Sequence, residues 1–160
     1  MIHPATVARD IMKTNLVTLS PNCDVFAAVD VLLKNKISGA PVVDSAGEFL
    51  GTFSERSCME VIVNAIYDGM PDACLMPFVD VEAPTIAPDT DLLTICQTFL
   101  DQGTRRLPVL EGKRLVGQIS RRDVMRFTAE MQRSPTAYHP EPLYLSAINE
   151  DSSSILTRIT

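Results

Sequence analysis

The sequence predicts an α/β chain of the α+β type, in which two βαββα repeats pack with pseudo-twofold symmetry and a C-terminal tail follows. Two observations carry this. First, sliding the chain against itself aligns Pro21 with Pro88, Asp24 with Asp91, Leu33 with Leu100, Pro41 with Pro108 and Val42 with Val109, each pair 67 positions apart. After one deletion the offset becomes 66, and Gly51 meets Gly117, Ser54 meets Ser120 and Arg56 meets Arg122. Second, the hydrophobic period switches between strand-like and helix-like in the same order within both copies.

Each copy opens on a short extended segment, Leu16-Val17-Thr18-Leu19 or Ala83-Pro84-Thr85-Ile86, closed by a turn at Ser20-Pro21-Asn22 or Ala87-Pro88-Asp89. A helix follows, with apolar positions Val25, Phe26, Val29, Leu32 and Leu33 in copy one and Leu92, Leu93, Cys96, Phe99 and Leu100 in copy two. That spacing predicts one buried face on each. Two apolar runs come next, 40–43 with 49–53 and 107–110 with 115–119. The turns Asp44-Ser45-Ala46-Gly47 and Glu111-Gly112-Lys113 join them into hairpins. A second helix opens at Ser54 or Ser120, whose hydroxyl can accept from an unpaired backbone N–H of the first turn. It carries Cys58, Val61, Ile62, Ala65 and Ile66 in copy one, and Val124, Phe127, Thr128 and Met131 in copy two. A half of about 60 residues with three short strands is marginal alone, which gives the duplication a physical reason.

The expected boundaries are 1–69 for the first repeat with its lead-in, 70–133 for the second and 134–160 for the tail. In the lead-in, Thr6 can cap a short helix over Val7-Ala8-Arg9-Asp10-Ile11-Met12, and Cys74-Leu75-Met76-Pro77 is a looser counterpart. In the tail Pro135, Pro140 and Pro142 break any helix, and 142–148 can form a strand.

With 46% hydrophobic and 21% charged residues, the 160-residue chain has a globular rather than a disordered composition. No apolar run approaches the roughly 18 residues of a membrane span, and Met1-Ile2-His3-Pro4-Ala5 lacks the order of a secretory signal, so a cytoplasmic location away from membranes is expected. A net charge of −6 disfavours nucleic acid as a partner and requires any anion site to be local. Cys23, Cys58, Cys74 and Cys96 form no Cys-x-x-Cys pair, and His3 and His139 stand at opposite ends, so neither a zinc site nor a disulfide framework is expected. Three of these cysteines fall on predicted helices. No phosphate-cradling glycine loop and no nucleophile–base pair is written in the chain, which points away from an enzyme and requires no cofactor.

Three segments, Ala8-Arg9-Asp10-Ile11-Met12, Ile37-Ser38-Gly39-Ala40-Pro41-Val42-Val43-Asp44 and Leu115-Val116-Gly117-Gln118-Ile119-Ser120-Arg121-Arg122-Asp123, resemble the CBS-domain family, whose tandem pairs are called Bateman modules. The resemblance runs from about Val7 to Met131. It implies a nucleotide cleft on the pair for an adenosine-containing ligand such as AMP, ADP, ATP or S-adenosylmethionine, and homodimerisation through exposed helices. Sites in the family end in Ser/Thr-x-x-Asp, whose aspartate accepts hydrogen bonds from the ribose hydroxyls. Copy two keeps Ser120-x-x-Asp123, whereas copy one reads Ser54-Glu55-Arg56-Ser57 and so holds Ser57 at the aspartate position. By matching positions, the resemblance places Val17, Ile37, Ser38 and Gly39 around the base and Ser120 and Arg122 beside the ribose and phosphate. Arg105 and Arg106 then face the phosphates, where guanidinium forks suit the oxygens.

Each of these residues also has a plainer reading. Ser120-x-x-Asp123 is a helix cap in its own right. Arg105 and Arg106 can be a solvated pair at a strand entrance or pair with Asp101, and Arg121, Arg122 and Arg126 a solvated basic face. The expected function is a regulatory module that senses an adenosine nucleotide and passes its state to a partner protein. The alternative is a structural interaction module whose clefts are eroded or filled by the tail.

Overall fold

The computed structural model describes residues 6–69 and 73–133, so the expected tail over 134–160 lies outside the described residues. The chain runs through α1 (Ala8–Ile11), α2 (Val25–Asn35), β1 (Gly39–Val43), β2 (Phe49–Ser54), α3 (Glu55–Asp68), a 3-10 turn (Met76–Phe78), α4 (Leu92–Asp101), β3 (Arg106–Glu111), β4 (Arg114–Ser120) and α5 (Arg121–Arg133). β1 with β2, and β3 with β4, form antiparallel hairpins.

The matched aspartates start matched helices. Asp24 accepts from the backbone N–H of Phe26 and Ala27 at 2.9 and 3.1 Å, and Asp91 accepts from that of Thr94 at 3.0 Å, which satisfies first-turn donors that have no partner within the helix. The two cores are built alike as well. Leu19, Val25, Ala28, Leu32, Val42, Phe53 and Val61 pack in one, and Ile86, Leu92, Ile95, Phe99, Val109 and Ile119 in the other.

The leading strand of each copy is shorter than its sequence predicts. Only Leu19 pairs with β1, beside Val42, and only Ile86 pairs with β3, beside Val109. Proline explains the truncation. The Leu19 N–H donates to the Pro41 carbonyl at 2.9 Å and the Val43 N–H donates to the Leu19 carbonyl at 3.0 Å. Continuing that parallel ladder back to Val17 would need an N–H on Pro41, which proline lacks. Pro108 stops the second ladder in the same way, after Ile86 donates to its carbonyl at 3.0 Å. Val17 is thereby released from the sheet.

The lead-in segments cross over. Ala8 and Ile11 are buried in the core of copy two, while Leu75, Phe78 and Val79 are buried in that of copy one. The bridges that hold them come in pseudo-symmetric pairs: Lys13 with Gln118 answers Asp80 with Thr52, and Val7 with Asp91 answers Cys74 with Asp24. Glu48 bridges its own counterpart, Arg114, across the pseudo-twofold axis. Two matched glycines admit these crossings. A Cβ on Gly117 would stand 2.4 Å from Met12 Sδ, and one on Gly51 would stand 2.6 Å from the Asp80 carbonyl oxygen.

Several local expectations are corrected. Val7, rather than Thr6, precedes α1, and its N–H donates to Asp10 Oδ2 at 3.0 Å. Two of the cysteines, not three, sit on helices: Cys58 on α3 and Cys96 on α4; all four are free thiols. The buried stripe of α2 is Val25, Ala28 and Leu32, and that of α4 is Leu92, Ile95 and Phe99, so Leu33, Leu93 and Leu100 point outward at 70–81% exposure. On α3, Met59, Ile62, Val63, Ile66 and Tyr67 are also exposed.

Candidate functional site

Ser120 closes β4 and opens α5, so the chain turns there without a loop. Its N–H donates to Asp123 Oδ2 at 2.9 Å, its hydroxyl donates to the same oxygen, and the Asp123 N–H donates back to Ser120 Oγ at 3.2 Å. This reciprocal cap fixes the carboxylate, which is only 7% exposed. Oδ1 faces Lys13 Nζ at 2.9 Å and Arg126 Nη1 at 3.6 Å in ion pairs. Burial pushes the Asp123 carboxyl up, but the Ser120 hydroxyl, the Lys13 ammonium and the Ser120 N–H outweigh it and hold the group below the usual carboxylate range. A charged acceptor therefore stands at the floor of a cleft.

The opposite wall joins both copies. The Glu55 N–H donates to the Ser38 carbonyl at 3.0 Å, and its counterpart, the Arg121 N–H, reaches the Arg105 carbonyl at 3.4 Å. Arg106 Nε donates to Ser38 Oγ at 3.4 Å. Arg105 pairs with Glu55 of copy one at 3.3 Å, rather than with Asp101, the acid that the plainer sequence reading offered it. Burial lowers the Arg106 guanidinium from its usual range, and the fields of Asp123 and Glu55 offset this only in part.

Val17, Ile37, Ser38, Gly39, Arg105, Arg106, Ser120, Arg122 and Asp123 all line one cleft of about 950 Å3 between the copies. That volume lies near the upper end of small-molecule sites. Lys13, Lys36 and Gln118 also line it, and sequence reasoning missed them. The signal for Lys13 was its offset of 67 from Asp80, which gains meaning only once the lead-ins are known to cross.

The pseudo-symmetric cleft is smaller, about 400 Å3, and holds Ser54, Arg56 and Asp80 where the large one holds Ser120, Arg122 and Lys13. Ser57 is 95% buried and takes over only the capping part of the Asp123 role: its Oγ accepts from the Ser54 N–H at 3.3 Å. Among the described residues no group of three or more His, Cys, Asp or Glu side chains could hold a metal ion, and no helix is long and apolar enough to cross a membrane.

The model of the family described as CBS domain matches residues 8–64 and 78–130, well over half of the chain and once in each copy. The chain belongs to the CBS-domain family. Its CBS pair shares its fold with CBSX2 of Arabidopsis thaliana in complex with AMP, at a TM-score of 0.72 and 21% identity over 79% of this chain and 98% of that one. A second solved structure is the CBS domain pair of protein MJ0100 in complex with 5'-methylthioadenosine and S-adenosyl-L-methionine, with a TM-score of 0.68 and 19% identity over 79% of this chain and 98% of that one. In sequence, the chain is 28% identical over 144 residues to an A-adding tRNA nucleotidyltransferase of Geobacter sulfurreducens, covering 90% of this chain. It spans 15% of that protein's length.

Proposed function

We propose that the large CBS cleft binds an adenosine-containing nucleotide and that the chain is a regulatory sensor which passes the state of that cleft to a partner protein, without catalysing a reaction. The observation that carries this reading is Asp123, a buried carboxylate held below the usual carboxylate range that lines a cleft of suitable volume. A carboxylate accepts from two adjacent ribose hydroxyls better than any neutral side chain. Val17, Ile37 and Gly39 supply apolar and backbone surface for a base, and Arg105, Arg106, Ser120 and Arg122 polar contacts for the phosphate end. The complexes of CBSX2 with AMP and of MJ0100 with adenosine derivatives support the ligand class.

Transmission has a physical route. Lys13 pairs with Asp123, and its backbone exchanges hydrogen bonds with Gln118 of β4 at 2.9 and 3.0 Å. A ribose that takes over Asp123 loosens the side-chain tether of the lead-in. The outward apolar residues of α3 and α4 suit a homodimer face, through which such a change can reach a partner.

Calorimetry with AMP, ADP and ATP tests the reading. Saturable binding that Asp123→Ala weakens at least tenfold is expected, given that a hydrogen bond to a charged group contributes about 1.5–3 kcal/mol. Binding indifferent to Asp123→Ala would contradict the site. The interaction-module reading is favoured for the second cleft alone, where Ser57 replaces the carboxylate.

A further inference from the structure

We infer that the large cleft selects its nucleotide by phosphate number, taking a nucleoside di- or triphosphate ahead of the monophosphate and disfavouring a cationic sulfonium ligand. This rests on the nucleotide reading above and narrows it. The cleft is lined by seven cationic side chains against two acidic ones, in a chain whose net charge is −6. The whole-molecule field therefore repels a polyanion, and attraction has to come from the cleft itself.

Four of the seven cations are already engaged. Lys13 and Arg126 both face the single carboxylate of Asp123, Arg105 pairs with Glu55, and Arg121, whose charge no acid balances among the described residues, donates to the Phe99 carbonyl at 3.1 Å with its guanidinium over the Phe99 ring. Lys36, Arg106 and Arg122 have no ion pair among the described residues. Lys36 comes from the C-terminus of α2, Arg106 from the start of β3 and Arg122 from the first turn of α5, so three elements of both copies bring uncompensated charge to one space. A monophosphate carries about two negative charges at neutral pH, fewer than these three cations can balance. A longer phosphate chain uses the surplus. Half-buried Arg106, already penalised by burial, gains most from an anion.

The smaller cleft lacks this surplus. It is lined by three cations and two acids, with Asp80 at the position of Lys13. Polyphosphate binding is therefore expected at one site per chain.

The test is calorimetry at fixed ionic strength without divalent metal, using adenosine, AMP, ADP, ATP, tripolyphosphate and S-adenosylmethionine. Affinity should rise with each phosphate, ATP exceeding AMP by roughly tenfold or more, with S-adenosylmethionine weaker than adenosine. The double variant Lys36→Asn with Arg122→Gln removes two exposed charges, and Asn tolerates the left-handed backbone of Lys36, whose φ is 53°. It should flatten the series, weakening ATP by roughly tenfold more than it weakens adenosine. Equal affinities for adenosine, AMP and ATP, still sensitive to Asp123→Ala, would overturn phosphate selection and leave the nucleotide reading standing. A steep series that survives the double variant would overturn the assignment of that selection to the unpaired cations Lys36 and Arg122. Tripolyphosphate binding as tightly as ATP, or no ligand binding at all, would overturn both.

Discussion

Asp123 occupies a position where a helix cap and the proposed ligand contact require the same carboxylate. The cap was legible from Ser120-x-x-Asp123, and the structure shows both of its reciprocal hydrogen bonds. Arg126, three residues on, is a local partner, but what the local sequence could not reveal is the nearer cation facing it, since Lys13 arrives from 110 residues away. The depressed carboxyl has a consequence in acid. Its folded-state pKa lies below the unfolded value of about 3.9, so below that pH the unfolded chain binds the proton more readily. The stabilisation is complete above the unfolded value and is lost as pH falls through the folded one. Urea melts from about pH 5 to pH 2 should therefore show a steeper acid-side loss in the native protein than in Asp123→Asn. Parallel curves would contradict the electrostatic account of this corner. The Arg105 pairing marks the same limit of sequence reading. Asp101 is its near neighbour in sequence, yet Glu55 of the other copy is the acid it meets.

At the scale of elements, the hairpins and both long helices of each copy were legible, because 67- and 66-residue offsets repeat the same proline, glycine and cap positions. The leading strands are shorter than their apolar pattern implies. Their apolar residues are right for a strand, but extension depends on a donor in the neighbouring strand that Pro41 and Pro108 do not have. The buried helix faces are narrower than the apolar pattern for a related reason: period alone marks Leu33, Leu93 and Leu100 as apolar without saying whether a core or another surface covers them. The crossing of the lead-ins makes a sharp demand on Gly51, whose φ is +150° and whose added Cβ would also stand 2.6 Å from Val79 Cγ1. Gly51→Ala is expected to destabilise the fold by about 3 kcal/mol through backbone strain and overpacking, read from denaturant midpoints. A loss under about 0.5 kcal/mol, typical of a neutral surface change, would mean that the crossing is not tightly packed.

Across the whole molecule, two cores are closed by exchanged segments, so neither copy is complete without the other. Nothing periodic in the sequence encodes that exchange, because Ala8 and Ile11 are equally suited to either core. The exposed apolar set of α3 belongs to this scale. Ile66, 74% exposed, is expected to lie in a dimer interface. Ile66→Glu should convert a dimer to a monomer in sedimentation velocity while changing the monomer's own stability by no more than about 0.5 kcal/mol. A monomeric native protein, or a variant that stays dimeric, would remove α3 from the assembly.

The cleft between the copies joins the three scales: Asp123 supplies the acceptor, the crossing of Lys13 and the release of Val17 shape its walls, and pseudo-twofold packing creates the space. Mass spectrometry of the small molecules released from protein purified natively, without added ligand, tests its role most directly. An adenine nucleotide at up to one per chain, lost from Asp123→Ala, is the expected result. No adenine-containing molecule in the native protein, or the same amount in Asp123→Ala, would contradict it.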